Sequence, residues 1–168
     1  MSAADFVVRP AAPGDVPDLM AMIRALAEYE RLAHLVVADA PMLAAALFDD
    51  RPAAEALIAR EGSENGPPAG FALFFHNFST FLGRRGLWLE DLFVYPHYRG
   101  AGLGKALLIN LAGIARERGC GRFEWAVLDW NASAIAFYER MGARLLPDWQ
   151  IARVTGEALD RFGLDEAT

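Results

Sequence analysis

The chain has very little cysteine and histidine. Cys120 is its only cysteine, so no internal disulfide can form and a reducing compartment is expected. We interpret Cys120 as structural rather than nucleophilic. The histidines, His34, His76 and His97, have no partner at the spacing of metal ligands. These scarcities predict a fold without disulfides and without a metal site.

Long apolar runs and an excess of basic residues are also missing. The longest apolar stretches, such as Ala69 to Phe75, are too short to cross a bilayer, and the N-terminus lacks a signal-peptide pattern. The formal net charge of −6 argues against a nucleic-acid partner and is compatible with a cationic substrate. We therefore expect a cytoplasmic protein, with neither a membrane nor nucleic acid as a partner.

What the chain does have is the composition and element order of one mixed α/β (α+β) domain. Its 168 residues, 54% of them hydrophobic, suffice for a single core without a linker, which predicts one domain, 1–168. Periodicity and turn residues predict strands at Phe6–Arg9, Ala56–Ala59, Gly70–Asn77, Gly86–Tyr95, Phe123–Leu128 and Gln150–Val154. Helices are predicted at Val16–Leu32 with Asp15 as N-cap, after Asp39, at Gly102–Arg118, at Ser133–Arg140 and, briefly, near the C-terminus.

The most informative motif is a glycine-rich turn between a predicted strand and a predicted helix. It reads Arg99-Gly100-Ala101-Gly102-Leu103-Gly104-Lys105, an R-x-x-G-x-G pattern. Glycines let the backbone approach phosphates closely, and the helix start offers unpaired N–H groups and a positive dipole end. Arg99 and Lys105 can add charge-assisted hydrogen bonds. The turn therefore predicts a pyrophosphate site and points to coenzyme A.

Other phosphate-binding loops do not fit this turn. The dinucleotide fingerprint G-x-G-x-x-G would need glycine at Lys105 or at Leu107. A Walker loop would need glycine at Arg99 and Ser or Thr at Ala106. A turn that only connects a strand to a helix stays open as the structural alternative.

A second signature follows, and the two together resemble a known superfamily. Asn131 precedes Ala136-Phe137-Tyr138-Glu139-Arg140-Met141-Gly142-Ala143, and with the glycine-rich turn this resembles the GCN5-related N-acetyltransferase (GNAT) superfamily. Within it, the chain resembles the diamine (spermidine/spermine) and thialysine acetyltransferases at Phe6–Ala11, Ala27–Glu30, Gly70–Ala72, Leu89–Val94, Tyr98–Gly100, Asp129–Asn131 and Trp149. The resemblance covers nearly the whole chain. It implies the GNAT fold, a single twisted mixed sheet splayed at its centre and flanked by helices, and a homodimer.

The resemblance also implies acetyl-CoA as co-substrate. Backbone N–H groups around Phe93 and Val94 would bind pantetheine and polarise the acetyl carbonyl, as in an oxyanion hole. The implied cofactor contacts are Leu92, Phe93, Val94, Arg99, Gly100, Ala101, Gly102, Leu103, Gly104, Lys105, Asn131 and Ser133.

Attack of an amine on a thioester requires two proton transfers. A primary amine of pKa about 10.4 is almost wholly protonated at pH 7, so a base lowers the barrier. The candidate is Glu90, at the end of the central strand and acting through water; Asp91 points to the opposite face unless the strand is bulged. The leaving thiolate needs a proton, and Tyr138 is the candidate acid. In the structural alternative, Glu90 and Asp91 are only carboxylates at the end of a strand, and Tyr138 is only an aromatic residue of the core.

The same resemblance predicts the substrate contacts Tyr29, Glu30, Phe81, Glu90, Asp91 and Trp149. Glu30 and Glu90 would together anchor a dication. The chain departs from the family at Arg31-Leu32-Ala33-His34, where acidic residues are expected, and at Phe81, where tryptophan is expected. A lysine-like amino acid or short diamine is therefore favoured over a long polyamine. Arg31 could receive a substrate carboxylate or be a solvated helix end.

The favoured function is transfer of acetyl from acetyl-CoA to the primary amine of a small molecule, by direct attack in a ternary complex. A protein or peptide N-acetyltransferase and a non-catalytic acyl-CoA-binding module stay open. The peptide enzyme would need an open groove, which the segments Tyr29–His34 and Phe78–Arg85 are placed to close. The presence of Glu90 and Tyr138 speaks against a non-catalytic module.

Overall fold

The computed structural model describes residues 1–163 of a chain that divides into two compact units, 1–126 and 127 onward. The first unit carries a mixed five-stranded sheet, in sequence order, of β1 (Phe6–Pro10), β2 (Glu55–Glu61), β3 (Pro68–Ser79), β4 (Arg84–Val94) and β5 (Phe123–Trp125). Strands β1 to β4 pair antiparallel, and β5 is parallel to β4. Its helices are α1 (Val16–Tyr29), α2 (Ala40–Phe48) and α3 (Leu103–Glu117).

In the second unit, the regular elements within the described residues 127–163 are helices. It contains α4 (Ala132–Arg140) and α5 (Glu157–Asp160). Gly142 follows α4 with a φ of 92°, the left-handed conformation that suits glycine at a helix end. The prediction of one domain over 1–168 stays a prediction.

The core of the first unit lies where the helices pack on the sheet. Consecutive residues of β2 are buried, which indicates that both faces of the central strands are covered. Helices α1 and α2 pack on the face that carries Ile58, Phe71 and Phe93. Helix α3 contacts β3 and β4 and buries Leu103, Leu107 and Leu111 at helical spacing. No helix between residues 1 and 163 is long and apolar enough to cross a membrane.

Two predicted strands differ from the structure. The strand predicted at 123–128 ends at Trp125, because its pairing with β4 ends where Trp125 lies opposite Leu89. The strand predicted at 150–154 is wrong: residues 127–163 contain no strand that could pair with it, and Ile151 is exposed. Helix α1 ends at Tyr29 rather than at Leu32, because Arg31 adopts a left-handed φ of 62°.

Asp15 is the N-cap residue of α1, as predicted, but its side chain does not cap the helix. The Asp15 carboxylate accepts no hydrogen bond from α1; it accepts bonds from the N–H of Ala12 at 2.8 Å and from Arg9 and Arg60 at 2.6 Å. Arg60 also donates to Asp18 at 2.6 Å. Burial alone would raise the pKa of Asp15, but these hydrogen bonds outweigh it and hold the pKa well below its usual value. The network joins β1 and β2 to the start of α1.

Candidate active site

Strand β4 is bulged at Glu90. Its register with β3 places Asp91 opposite Leu73 but Leu89 opposite Phe74, so Glu90 is an extra residue in the ladder. The sequence predicts that Asp91 points to the opposite face from Glu90 unless the strand is bulged, and this is that bulge.

The bulge changes the face on which the β4 side chains lie. Residues opposite each other on neighbouring strands share a face, and the face alternates along each strand. Phe71 and Phe93 are opposite each other and belong to the core under α1, and Asp91 lies two positions from Phe93. Asp91 is therefore on the α1 face. Leu89, beyond the bulge, is on the other face.

Beyond the bulge, β4 also loses its partner β5. The pairing ends at Leu89 opposite Trp125, and no β5 residue lies opposite 90–94. Strand backbone without a neighbouring strand offers hydrogen-bonding groups to an extended ligand. This edge includes Leu92, Phe93 and Val94, the segment predicted to bind pantetheine.

Two carboxylates, Glu90 and Glu30, act on a third, Asp91, at this end of β4. Burial raises the pKa of Asp91 to about 6, and the negative charges of Glu90 and Glu30 add to the effect. Burial also raises the pKa of Glu30, which follows the last residue of α1. Glu90 itself is exposed, and its carboxylate accepts a hydrogen bond from the indole N–H of Trp88 at 2.9 Å. Asp91 therefore exchanges a proton near neutral pH in a negative environment.

The glycine-rich turn leads directly into α3. Gly100 and Gly102 have φ of 81° and 85°, and Gly102 is the N-cap of the helix. A Cβ at Gly100 would meet no atom within 4 Å, and one at Gly102 would meet only the Cβ of Ala3 at 3.6 Å. The protein thus leaves space beside both glycines at the start of α3, whose first N–H groups have no partner within the helix. Ala101 lies between them, Gly104 and the exposed Lys105 follow in the first turn, and the buried Leu103 can offer only its backbone.

Arg99 connects the turn to the other two parts of the candidate site. Its Nε–H donates to the carbonyl oxygen of Val94 at 3.0 Å. Its guanidinium lies 4.8 Å from the ring centroid of Tyr29, a cation–π contact. The predicted phosphate-binding arginine therefore contacts both the strand predicted to bind pantetheine and a predicted substrate residue, which no sequence spacing indicates.

The candidate residues of the second unit have local partners. The Asn131 side-chain oxygen accepts from the N–H of Ala134 at 3.2 Å and from the Ser133 hydroxyl at 3.1 Å, so Asn131 caps α4. Tyr138 is half-buried in α4, its ring centroid 5.3 Å from that of Phe137. Trp149 lies outside any helix or strand and is exposed. Their roles in cofactor binding, proton donation and substrate binding stay predictions.

Phe81 is not brought to the carboxylates. It is 96% exposed at the tip of the β3–β4 hairpin, before β4 begins at Arg84. At about 3.3 Å per residue, Arg84 and Glu90 are about 20 Å apart along the strand. The substrate role of Phe81 stays a prediction, and its position within a single chain does not explain that role.

No three His, Cys, Asp or Glu side chains among residues 1–163 are arranged to hold a metal ion. Cys120, half-buried, is a thiol. No residue is assigned to a metal.

Comparison with known proteins defines the class. The profile of the Acetyltransferase (GNAT) family matches residues 20–143, so the chain belongs to that family. An integron cassette protein from the mobile metagenome of V. cholerae superposes with a TM-score of 0.77 at 25% identity, over 97% of this chain and 99% of that one. A ribosomal-protein-alanine N-acetyltransferase from Brucella melitensis, at 24% identity and a TM-score of 0.68, covers 90% of this chain and 99% of its own and shows the fold alone.

Curated relatives indicate the kind of molecule that is acetylated. The chain is 36% identical to L-ornithine N5-acetyltransferase NATA1 of Arabidopsis thaliana, over 90% of this chain and 85% of that protein. It is 37% identical to the thialysine N-epsilon-acetyltransferase of Sus scrofa, over 93% and 96%. The chain is accordingly an amine N-acetyltransferase.

Proposed function

We propose that this enzyme transfers the acetyl group of acetyl-CoA to the side-chain amine of a lysine-like amino acid or to a short diamine, by direct attack in a ternary complex. The observation that carries the proposal is the group of Glu30, Glu90 and Asp91 beside the unpaired edge of β4. A negative site favours an ammonium group. Relatives named for ornithine and thialysine, both amino acids with a side-chain amine, support this substrate class.

The three carboxylates divide into two roles. The exposed Glu90 holds the ammonium group that reacts, and Glu30 holds the second charged or polar group of the substrate. Asp91 takes the proton of the reacting ammonium group, directly or through water, because its raised pKa of about 6 brings its basicity closer to what proton transfer at neutral pH requires. This assigns to Asp91 the base role that the sequence predicts for Glu90.

The remaining steps complete the transfer. The neutral nitrogen attacks the thioester carbonyl and a nitrogen–carbon bond forms; backbone N–H groups of Phe93 and Val94 stabilise the oxyanion. The carbon–sulfur bond then breaks, and the nitrogen releases its second proton to water. The thiolate takes a proton from the phenol of Tyr138, which is reprotonated from water, so that coenzyme A and the N-acetylated amine are formed. Arg99, Lys105 and the backbone from Gly100 to Gly104 hold the pyrophosphate.

The direct test is a substrate panel. Purified protein with acetyl-CoA is offered lysine, ornithine, thialysine, putrescine, spermidine and a set of peptides, and thiol release is followed with mass spectrometry of the products. The proposal predicts the highest kcat/KM for one of the first four. Faster turnover on a peptide N-terminus than on any free amine would overturn it.

The acid role of Tyr138 is tested by Tyr138→Phe. Loss of the phenolic proton should lower kcat at least ~100-fold with unchanged acetyl-CoA affinity, since general acids contribute about 10² to 10⁴. Unchanged kcat at saturating substrate would assign the proton to water or to another residue.

A homodimer in the cytoplasm completes the proposal. The β3–β4 hairpin exposes Phe78, Phe81 and Leu82, by 62%, 96% and 52%, and apolar side chains grouped at a loop tip favour burial in an interface. Sedimentation of the protein and of its Phe81→Ser variant tests this: a dimer that weakens in the variant is expected, and a monomer at all concentrations would contradict it.

A further inference from the structure

Tyr98 attaches the glycine-rich turn to the sheet. It is buried and is the last residue of the 3-10 turn Pro96–Tyr98, directly before Arg99. Its hydroxyl donates a hydrogen bond to the Glu61 carboxylate at 2.7 Å. Its ring packs edge-on against the ring of Phe6, with the two centroids 5.3 Å apart. The residue before the turn is therefore fixed by two side chains from other parts of the chain.

Both partners of Tyr98 belong to one pair of strands. Phe6 begins β1 and Glu61 ends β2, and the two residues lie opposite each other. Glu61 is three positions from Ile58, which lies on the face under α1 and α2, so alternation along β2 puts Glu61 and Phe6 on the other face. Helix α3 contacts the same two strands. Tyr98 therefore joins the turn to the face of the sheet that α1 does not cover.

The turn has little regular structure of its own. Residues 99–102 belong to no helix or strand, and Gly100 and Gly102 have φ of 81° and 85°. Glycine loses more conformational freedom on ordering than any other residue, so this backbone conformation depends on attachments outside the turn. The Arg99 side chain attaches the turn to β4, and Tyr98 attaches it to β2. Arg99 is also assigned to the pyrophosphate, whereas Tyr98 is an attachment that the ligand does not use.

We propose that Tyr98 is a positioning residue for acetyl-CoA binding: its hydrogen bond to Glu61 keeps the glycine-rich turn in the conformation that binds the pyrophosphate. This role rests on the proposed function, in which the pyrophosphate binds at the turn. Without the hydrogen bond the turn samples other conformations, and the apparent dissociation constant rises by the inverse of the fraction that stays competent to bind. The thioester reacts beside Asp91 and not at the turn, so turnover of the bound complex is unchanged.

The first test is Tyr98→Phe, which removes the hydroxyl and keeps the ring against Phe6. The dissociation constant of acetyl-CoA, measured by calorimetry without an amine, should rise at least ~5-fold, and the KM for acetyl-CoA should rise with it. At saturating acetyl-CoA, kcat and the KM for the best amine of the substrate panel should stay within about twofold of the wild type. An equal rise in both KM values, or a fall in kcat, would indicate a general loss of structure and contradict the positioning role.

Glu61 provides a rescue by a conservative variant. Glu61→Gln keeps an oxygen that accepts the bond from the Tyr98 hydroxyl and should bind acetyl-CoA nearly as the wild type does. Glu61→Leu should weaken binding as Tyr98→Phe does. Because both of these changes remove the same hydrogen bond, the double variant Tyr98→Phe/Glu61→Leu should bind no more weakly than either single variant. Additive losses would show that the two residues act independently and overturn the proposal.

The other end of β2 provides a matched control. Glu55 begins the strand and accepts hydrogen bonds from both terminal nitrogens of Arg118, the residue after α3. Glu55→Leu makes the same change of charge and side chain about 20 Å from Glu61, at about 3.3 Å per residue. It should leave acetyl-CoA affinity unchanged. A loss equal to that of Glu61→Leu would mean that affinity depends on charge along β2 and not on the bond to Tyr98.

Gly102→Ala separates the positioning role from the proposed function. If Gly102→Ala weakens acetyl-CoA binding and Tyr98→Phe does not, the pyrophosphate binds at the turn and only the positioning role is overturned. If neither change weakens binding, the pyrophosphate does not bind at the turn, and that part of the proposed function fails together with the role of Tyr98. Weaker binding in both variants, with unchanged affinity in Glu55→Leu, is the result that we expect.

Discussion

At the scale of single residues, the most informative group is the Asp91 carboxyl. Its pKa of about 6 in the folded chain, against 3.8 for an unperturbed aspartate, makes it the member of the cluster that changes charge near neutral pH. Burial is the main cause, and the neighbouring Glu90 and Glu30 add repulsion. Asp91 lies on the face that α1 covers because β4 has one extra residue at the bulge.

The base role of Asp91 predicts a specific pH dependence. In the wild type, kcat/KM should rise with pH up to about 6 and then level off, because ionised Asp91 accepts a proton from the ammonium substrate. In Asp91→Asn only the neutral amine can react, so kcat/KM should keep rising through pH 8 and be at least ~100-fold lower at pH 7. Glu90→Gln is the comparison: it should keep the break but move it to lower pH, because the charge of Glu90 no longer raises the pKa of Asp91. A break that disappears with Glu90→Gln instead would return the base role to Glu90.

The same substitution should also alter stability. A carboxyl whose pKa is raised on folding destabilises the folded state once it is ionised. The free energy of unfolding therefore falls as pH rises from about 4 to about 6. Asp91→Asn should therefore raise the free energy of unfolding by about 1 to 3 kcal/mol at pH 7 and by much less at pH 3.5. Urea unfolding at the two pH values measures this.

At the scale of elements, the attachment of α1 to the sheet depends on Asp15. Asp15→Asn would remove the charge that neutralises the buried Arg60, and we expect a loss of about 3 to 5 kcal/mol in the free energy of unfolding at pH 7. Because the pKa of Asp15 is held low, its contribution is present above pH 4 and is lost as pH falls further. Asp18→Asn removes a more exposed partner of Arg60 and should cost about 1 kcal/mol or less. Equal losses in urea unfolding would contradict the assignment.

The turn before α3 can be tested with glycines of matched conformation. Gly102 and Gly62 have φ of 85° and 70°, and a Cβ on either would meet no protein atom closer than 3.6 Å. Gly102→Ala and Gly62→Ala should each lose about 1 to 2 kcal/mol of stability from left-handed strain. Only Gly102→Ala should weaken acetyl-CoA binding, by at least ~10-fold in calorimetry, because its Cβ enters the space beside the helix start. Unchanged affinity would make the turn a simple connector.

At the scale of the whole molecule, the fold and its family were readable from sequence because periodicity and two ordered motifs extend over most of the chain. The prediction of a strand at 150–154 is wrong, because a strand depends on a partner strand that the local pattern cannot show. The bulge at Glu90 was anticipated only as an exception, and its effect on Asp91 depends on which face α1 covers. The contact between Arg99 and Tyr29 joins residues 70 positions apart and has no sequence signal.

Substrate preference belongs to this scale too, because the net charge of −6 attracts every cation and only the local carboxylates discriminate among them. Glu30→Gln should raise the KM for putrescine at least ~10-fold more than that for butylamine, an amine of equal length with one charge, since only the diamine presents a second ammonium group to Glu30. Glu28→Gln changes the net charge equally from an exposed position of α1 and should shift both KM values only slightly, that of putrescine more because it carries two charges. Initial rates at two salt concentrations separate the two effects: the Glu28 change should fade at high salt, whereas the selective loss in Glu30→Gln should persist because burial shields that carboxyl from screening. Equal shifts for both amines in Glu30→Gln would mean that Glu30 acts only through the overall field.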